Sequence, residues 1–470
     1  MNADHFAPLA YDFRFSPDHF SRRCEFSSHG CHEFFGQPFY CRYDRISTSF
    51  SRTLPSELRD LMEVATSAYL ADRFAPRRHP DKANDSRPRN RRIRISLPVR
   101  SPAMWRGQPA KFLGELLLFL SGDPWEFEFL PLNDGSPIAQ QSYLLDFFPE
   151  RQPAVMLFSG GLDSYAGAVH QLRDSNRFHV LVSAFTHNRM AADQAHQANI
   201  LFDGRRKIGH RVAVSYGLPT KIEHVRLESS QRARGLIYLT IGAITALNLG
   251  VNEFSVYENG IGALNLPFDA SQSGWEISRA VHPKTLSLME QLVTSITGTP
   301  LQIRTPFLFS TKADSLKGME PERLLEGIRY TFSCDRFPNY RERRRQCGVC
   351  SSCVLRRLSL EAAGLAGAES TDEYTHDITS EQFVPRPSSA FVLDKFDTQA
   401  HRINSCLSSQ NPWLRLMHLF PELREVEFVL GKNIDHSTVE SSLLSLYDRH
   451  VYEWSAFSGR AALNRYLHAA

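Results

Sequence analysis

Short apolar runs alternate with amphipathic stretches in the middle of the chain. The apolar runs at 154–158, 180–185, 211–215 and 253–257 have the length of buried strands, and the stretches between them have helical periodicity. Such alternation predicts βαβ units, and therefore a parallel sheet with helices on both faces. In sheets of this kind, ligands bind at the carboxyl ends of the strands.

The regions before and after this segment have a different pattern. Helices are predicted at 55–70 and 108–120, a strand is predicted at 93–99, and the later helical periodicity is clearest at 411–420. The predicted fold class is therefore α/β with flanking regions. The three expected domains are an α+β domain at 1–150, an α/β domain at 151–370 and a mainly helical extension at 371–470.

Composition fits an ordinary globular protein, because 42% of the 470 residues are hydrophobic and 22% are charged. The longest uncharged apolar stretch, 235–250, is shorter than the ~20 residues that a membrane span requires. The N-terminal sequence has no basic start followed by an apolar run, which argues against a secretory signal. We therefore expect a cytoplasmic protein with no membrane contact.

One basic, proline-rich stretch, 77–94, lacks apolar periodicity. A solvated loop is the simpler interpretation, and a nucleic-acid contact is the alternative because basic runs bind phosphate. The net charge of only +3 does not favour nucleic acid as a partner, although it leaves the alternative open.

The most informative string follows the first apolar run. Residues 159–164 read Ser-Gly-Gly-Leu-Asp-Ser between a predicted strand and a predicted helix. Two adjacent glycines let the backbone approach a ligand closely, and free N–H groups at the helix N-terminus attract an anion. The hydroxyls of Ser159 and Ser164 add donors, and Asp163 indicates a pyrophosphate bridged by Mg²⁺. A plain Gly-Gly turn with an Asp/Ser cap is the alternative.

Four of the eight cysteines form a C-x12-C-x2-C-x2-C pattern. Two-residue gaps direct successive sulfurs at a shared centre, which predicts a closed, structural zinc site. An iron–sulfur cluster is the alternative, but the bacterial ferredoxin pattern requires a cysteine at position 357, where this chain has arginine. The predicted ligands are Cys334, Cys347, Cys350 and Cys353.

The Ser-Gly-Gly-Leu-Asp-Ser string resembles the PP-loop of the ATP pyrophosphatases, which cleave ATP between its α- and β-phosphates. Combined with the cysteine pattern, it resembles the QueC family, the 7-cyano-7-deazaguanine synthases, over about 154–360. Segments 231–239 and 305–312 also resemble this family. The resemblance implies a PP-loop fold and the cofactors ATP, Mg²⁺ and Zn²⁺. It implies nucleotide binding by Ser159, Gly160, Gly161, Leu162, Asp163 and Ser164.

The chain departs from the family at the substrate loop. Segment 257–267 stands where the family has an acidic loop, and both flanking regions are additional. This pattern resembles the QatC-type proteins of bacterial anti-phage operons. The resemblance implies ATP-dependent activation of an acid such as 7-carboxy-7-deazaguanine and its transfer to an amine on a partner protein of the operon. Synthesis of the free nitrile from ammonia is the alternative, as is a nucleotide-binding or nucleic-acid-modifying protein.

The family resemblance also implies roles for individual residues. Arg234 and Lys312 match family positions, where positive charge would stabilise the departing pyrophosphate. Glu258 follows an apolar run at the carboxyl edge of the sheet, where it is expected to contact the heterocycle or the amine; a surface carboxylate is the alternative. A homodimer is consistent with related synthases. The predicted catalytic residues are Asp163, Arg234, Lys312 and Glu258.

Overall fold

The structure is a computed structural model. It describes residues 9–15, 21–28, 31–77, 90–132, 150–174, 176–203, 208–218, 227–268, 278–317, 321–336, 346–459 and 463.

The strands of the described residues form one mixed sheet. They are β1 (Leu9–Phe15), β2 (Ser21–Ser28), β3 (Cys31–Cys41), β4 (Arg91–Val99), β5 (Trp125–Pro131), β6 (Pro153–Leu157), β7 (Phe178–Phe185), β8 (Gly209–Gly217), β9 (Glu253–Ser255) and β10 (Gln302–Arg304). The order across the sheet is β10-β9-β6-β7-β8-β3-β2-β1-β4-β5. Pairing is antiparallel at β1–β2, β2–β3 and β3–β8, and parallel elsewhere.

The α-helices of the described residues lie between and after these strands. They are α1 (Asp44–Phe50), α2 (Ser56–Phe74), α3 (Pro102–Trp105), α4 (Gln108–Ser121), α5 (Leu162–Gln171), α6 (Asn188–Phe202), α7 (Arg234–Asn248), α8 (Gly260–Leu264), α9 (Pro283–Thr297), α10 (Lys312–Leu316), α11 (Pro321–Ile328), α12 (Ser351–Ala362), α13 (Pro387–Leu407), α14 (Pro412–Leu419), α15 (Glu422–Leu430) and α16 (His436–Ser458).

The parallel half of the sheet is covered on both faces, as its apolar runs predict. In β7, Val180 and Val182 belong to the core cluster that contains α7 and α9. Leu181 lies between them in sequence and belongs to the opposite cluster, which contains α5 and α6 residues. Since successive side chains of a strand point to opposite faces, β7 is buried on both sides. The predicted α/β class, with a helical C-terminal region, is confirmed.

The sheet continues through the predicted boundary near residue 150. Strand β3 pairs with β8 through Tyr40↔Gly217 and Cys41↔Tyr216. The ring of Tyr69 in α2 also packs edge-on against Tyr216, with ring centroids 5.6 Å apart. Residues before and after position 150 therefore share one sheet and one apolar core.

The interpretation of the basic stretch as a solvated loop is wrong at Arg77 and at Arg91, the first residue of β4. Arg77 and Arg91 have exposed fractions of 2% and 0%, and both guanidinium groups donate to the carboxylate of Asp123. Arg91 also forms an ion pair with Asp72. These two arginines are desolvated structural groups and are not available to phosphate. Residues 78–89 of the stretch lie outside the described part of the chain.

The long uncharged stretch identified in the sequence forms α7, which is buried in the core. Across the described ranges, no helix combines the length and apolar character needed to span a membrane.

Candidate active site

The Ser-Gly-Gly-Leu-Asp-Ser string forms the turn between β6 and α5. Gly160 has a φ of +85°, a left-handed conformation that side chains disfavour. A Cβ added at Gly160 would lie 2.9 Å from the Phe332 ring, closer than real Cβ contacts. Both constraints require glycine at this position.

The serine hydroxyls close the loop. The Ser164 hydroxyl donates to the Gly161 carbonyl at 2.9 Å and accepts from the Gly160 amide at 3.2 Å. The Ser159 hydroxyl accepts from the Gly161 amide at 3.2 Å and lies 3.1 Å from the Ser164 hydroxyl. The backbone amides of Gly160 and Gly161 are therefore hydrogen-bonded within the loop. An anion that binds there has to replace the serine hydroxyls as the acceptor.

Two glutamines of α6 hold the loop from behind, and the sequence analysis missed both. Gln194 Nε2 donates to the Ser159 carbonyl at 2.8 Å. Gln197 Nε2 donates to the Gly160 carbonyl at 3.1 Å and to the Tyr330 carbonyl at 2.9 Å. Because both side chains are buried, these bonds fix the path of the loop. A glutamine in a helix has no sequence signal that would reveal this role.

A compact charged cluster lies beside the loop. The Asp163 carboxylate accepts from Lys312 Nζ through one oxygen and from Asn259 Nδ2, at 3.3 Å, through the other. Asn259 also donates to Glu258 Oε1 at 3.0 Å. Burial, together with the adjacent charge of Asp163, raises the pKa of Glu258 to about 8. Two carboxyl groups and one ammonium group thus share a small volume, and the surface-carboxylate alternative for Glu258 does not describe its position.

Lys312 is positioned by the C-terminal helix α16. It is the first residue of α10, which Thr311 and Asp314 begin with a reciprocal capping box. The Thr311 hydroxyl donates to Glu453 Oε1 at 2.6 Å, and Arg449 Nε donates to Asp314 Oδ2 at 2.7 Å. Two side chains of α16 therefore fix the cap from which Lys312 extends.

A cavity of about 720 Å³ brings the predicted residues together. Its walls include all four predicted catalytic residues and most of the loop: Ser159, Gly161, Leu162, Asp163, Ser164, Arg234, Glu258 and Lys312. Gly160 lies behind this surface, against Gln197. The Arg234 guanidinium faces the cavity and donates no hydrogen bond to any described residue, and the Asp335 carboxylate of the same cavity interacts with it electrostatically.

The C-terminal extension completes the wall of the cavity. Phe396 and Gln399 of α13 line it, as do Tyr447 and His450 of α16. The sequence predicted a mainly helical extension at 371–470 but could not show what its helices pack against. His282, by contrast, is a packed histidine: its Nδ1 caps α9 by accepting from the Lys284 amide at 3.2 Å.

The four clustered cysteines form one compact group. Their sulfurs all lie within 4.8 Å of one another, and those of Cys347 and Cys353 are 3.9 Å apart. A tetrahedral zinc ion with Zn–S bonds near 2.3 Å would hold its sulfurs about 3.8 Å apart. The cluster therefore fits a single zinc ion, with Cys334 and Cys350 as the other two ligands.

The cysteine cluster also supports the cavity. Asp335 follows Cys334 directly and lines the cavity, where its carboxylate accepts from the Ser352 hydroxyl at 2.7 Å. Ser351 and Ser352, which follow Cys350 at the start of α12, line the same wall. Loss of the cluster's geometry would therefore distort the cavity.

Comparisons with known proteins show which family and which relatives this chain resembles. The family model described as "Queuosine biosynthesis protein QueC" matches residues 271–364, which include Lys312 and the four clustered cysteines. The chain is 27% identical over 247 residues to a protein of Thermoplasma acidophilum named 7-cyano-7-deazaguanine synthase, covering 48% of this chain and 93% of the relative. Proteins of the same name from Picrophilus torridus and Cellvibrio japonicus are 27% and 28% identical over 237 and 234 residues, covering 45% and 46% of this chain and 88% and 96% of the relatives. Each match spans most of the relative and less than half of this chain, so the chain is similar to QueC proteins over part of its length and has extensive additional sequence.

Proposed function

We propose that this protein is an ATP-dependent enzyme that activates the carboxyl group of a deazapurine acid, such as 7-carboxy-7-deazaguanine, and transfers the acyl group to an amine. The observation that carries the proposal is one cavity that contains the Ser-Gly-Gly-Leu-Asp-Ser loop, Lys312, Arg234 and Glu258. The comparisons support a deazapurine substrate, since the relatives are named as synthases of 7-cyano-7-deazaguanine.

The first step activates the carboxylate, because a carboxylate is a poor electrophile. One carboxylate oxygen attacks the α-phosphorus of ATP, the bond to the β-phosphate breaks, and pyrophosphate leaves. Arg234, a cavity cation with no hydrogen bond to the described residues, is placed to stabilise the departing charge, and Lys312 Nζ can move from Asp163 to a phosphoryl oxygen. Asp163 and the serine hydroxyls offer the oxygen ligands that Mg²⁺ prefers, and Mg²⁺ would supply further charge neutralisation there.

The second step transfers the acyl group. A neutral amine attacks the activated carbonyl carbon and AMP leaves, so the amine must give up a proton. Glu258 is the group we assign to accept it, because a carboxyl with a pKa of about 8 can exchange a proton near neutral pH. Asn259 holds Glu258 in place through the hydrogen bond to Oε1.

We assign the acceptor amine to a partner protein of an anti-phage system. The support is the sequence that the QueC-like relatives do not cover, together with the resemblance to the QatC type. The relatives' own name favours a second candidate, the formation of 7-cyano-7-deazaguanine with ammonia as the nitrogen source. In either case the four-cysteine cluster would hold a structural zinc ion that maintains the wall around Asp335.

Mass spectrometry after incubation with ATP, Mg²⁺ and 7-carboxy-7-deazaguanine tests the proposal. The incubation includes ammonium and the proteins encoded beside this chain, and the Asp163→Asn variant is the matched control. A partner protein that gains the deazaguanine acyl mass only with the unmodified enzyme supports transfer to a protein. Free nitrile with unmodified partners supports the second candidate. If neither product forms, both candidate functions are contradicted.

A further inference from the structure

Two buried polar groups in the cavity wall have no hydrogen-bond partner among the residues that the structure describes. Tyr447 and His450 each have an exposed fraction of 3%, and both line the cavity. The Tyr447 hydroxyl and His450 Nδ1 form no hydrogen bond with the described residues. The two side chains lie three residues apart on α16 and therefore share one face of the helix. Folded proteins rarely leave buried polar groups unpaired, and because these two line the cavity, both atoms are available to a ligand bound there.

Aromatic and amide groups line the same cavity as the pair. The Phe268 and Phe396 rings line the same cavity with centroids 5.0 Å apart. Gln399 Nε2 donates to the Leu266 and Pro267 carbonyls at 3.1 and 3.0 Å, which anchors α13 to this wall. Ring faces beside separate hydrogen-bonding atoms suit a planar ligand with a polar edge.

The pair carries no charge at neutral pH. Burial lowers the pKa of His450 to about 4, so its ring is neutral with one protonated nitrogen. Burial, with the charge of Glu422 as a lesser cause, raises the pKa of Tyr447, so its hydroxyl stays protonated. An anionic group would gain no counter-ion here, whereas an uncharged edge with N–H and C=O groups would gain hydrogen bonds.

The position of Tyr447 and His450 indicates which substrate they contact, and which part of that substrate. Glu453 lies one turn beyond His450 on α16 and accepts the hydrogen bond from Thr311, the residue before Lys312. The face that carries Tyr447 and His450 is therefore close to Lys312. In the proposed reaction the carboxylate of the acid attacks the phosphoryl group that Lys312 would contact, which leaves the ring of the acid within reach of α16.

We propose that Tyr447 and His450 form a specificity subsite, supplied by the C-terminal extension, for the uncharged polar edge of the planar nitrogen heterocycle of the acid. The inference rests on the proposed function for the identity of that acid. It lies beyond the family-model match, which ends at residue 364. The purine of ATP has the same chemistry, and the test separates the two sources.

The Tyr447→Phe variant removes only the unpaired hydroxyl. Its matched control is Tyr452→Phe on the same helix, where the side chain is 76% exposed. Acid-dependent exchange of labelled pyrophosphate into ATP is measured for both, with separate KM values for the acid and for ATP. We expect Tyr447→Phe to raise the KM for the acid about tenfold, the loss of one buried hydrogen bond, with the KM for ATP and the thermal midpoint unchanged.

The other outcomes are distinct. A higher KM for ATP alone would assign the subsite to adenine and overturn the proposal, as would unchanged values for both substrates. If the wild-type chain shows no exchange with the acid, the proposed function fails. Calorimetric binding of 7-cyano-7-deazaguanine and guanine then tests the subsite: weaker binding to Tyr447→Phe than to Tyr452→Phe supports it, and no binding to the wild type refutes it.

Discussion

The buried Arg77–Asp123–Arg91 network should respond strongly to the loss of one carboxylate oxygen. The Asp123 carboxylate is fully buried and accepts five hydrogen bonds. Arg77 supplies two, at 2.9 and 2.7 Å, and the side chain and amide of Arg91 supply three, at 3.1, 2.7 and 2.9 Å. Asp123→Asn keeps the shape but removes the charge, and the ion pair of Arg91 with Asp72 remains.

The expected cost follows from desolvation. Breaking a buried ion pair by removing one partner costs about 3–5 kcal/mol, because the other charge stays buried without compensation. Here Arg77 keeps the Ser121 carbonyl as an acceptor at 2.6 Å, but a carbonyl does not neutralise its charge. We therefore expect Asp123→Asn to lower the free energy of unfolding by about 3–5 kcal/mol, a large part of the ~5–15 kcal/mol of a typical protein.

An exposed ion pair on the same two strands provides the control. Arg92 of β4 pairs with Glu126 of β5, and their side chains are 61% and 47% exposed. Because exposed pairs contribute little, Glu126→Gln should cost less than about 1 kcal/mol. Urea unfolding of both variants, followed by circular dichroism, measures the difference. If Asp123→Asn costs no more than Glu126→Gln, the network is not desolvated and our account of Arg77 and Arg91 is wrong.

Three further predictions concern the cavity and its support. The pKa of Glu258 rises from 4.5 to about 8 on folding, so the stability that its protonated form contributes is complete below pH 4.5 and is lost as the pH rises to 8. Glu258→Gln should therefore gain stability relative to the wild type between pH 5 and 8 in urea unfolding, and a constant difference would contradict this pKa. Cys350→Ser should reduce bound zinc from ~1 per chain to near zero by elemental mass spectrometry; undiminished zinc would exclude this cysteine as a ligand. Asp163→Asn should retain the fold but lower pyrophosphate exchange at least ~100-fold, and near-normal exchange would remove Asp163 from the mechanism.

Local patterns predicted the elements that are long and strongly periodic. The runs at 154–158, 180–185 and 211–215 correspond to β6, β7 and β8, with ends that differ by at most two residues. The uncharged stretch at 235–250 corresponds to α7. These segments are buried among apolar neighbours, so their hydrophobic pattern alone determines the type of element.

Local sequence patterns could not predict the contacts between residues that are distant in the sequence. Arg77 appears solvated in the sequence because its partner Asp123 is 46 residues away. Strand β3 pairs with β8 although several other strands and helices lie between them in the sequence, and no local pattern encodes this pairing. Such contacts depend on the folded topology, so composition and periodicity cannot predict them.

Some residues of the cavity could be predicted from the sequence, and others could not. Family resemblance identified Asp163, Arg234 and Lys312, and the structure places all three on one cavity surface. Tyr447 and His450 were missed, because a tyrosine and a histidine on an amphipathic helix have no motif that distinguishes them from packing residues. Their significance depends on two atoms that form no hydrogen bond with the described residues, which only the packed structure reveals.

Exchange of labelled pyrophosphate into ATP, with and without 7-carboxy-7-deazaguanine, tests the central claim most directly. Exchange requires reversible formation of an acyl-adenylate and does not depend on the identity of the acceptor amine. Our account predicts exchange that requires the acid and Mg²⁺ and is lost in Asp163→Asn. Exchange that is absent, or that is equally fast without the acid, would contradict the assignment of this cavity to the activation of a deazapurine carboxylate.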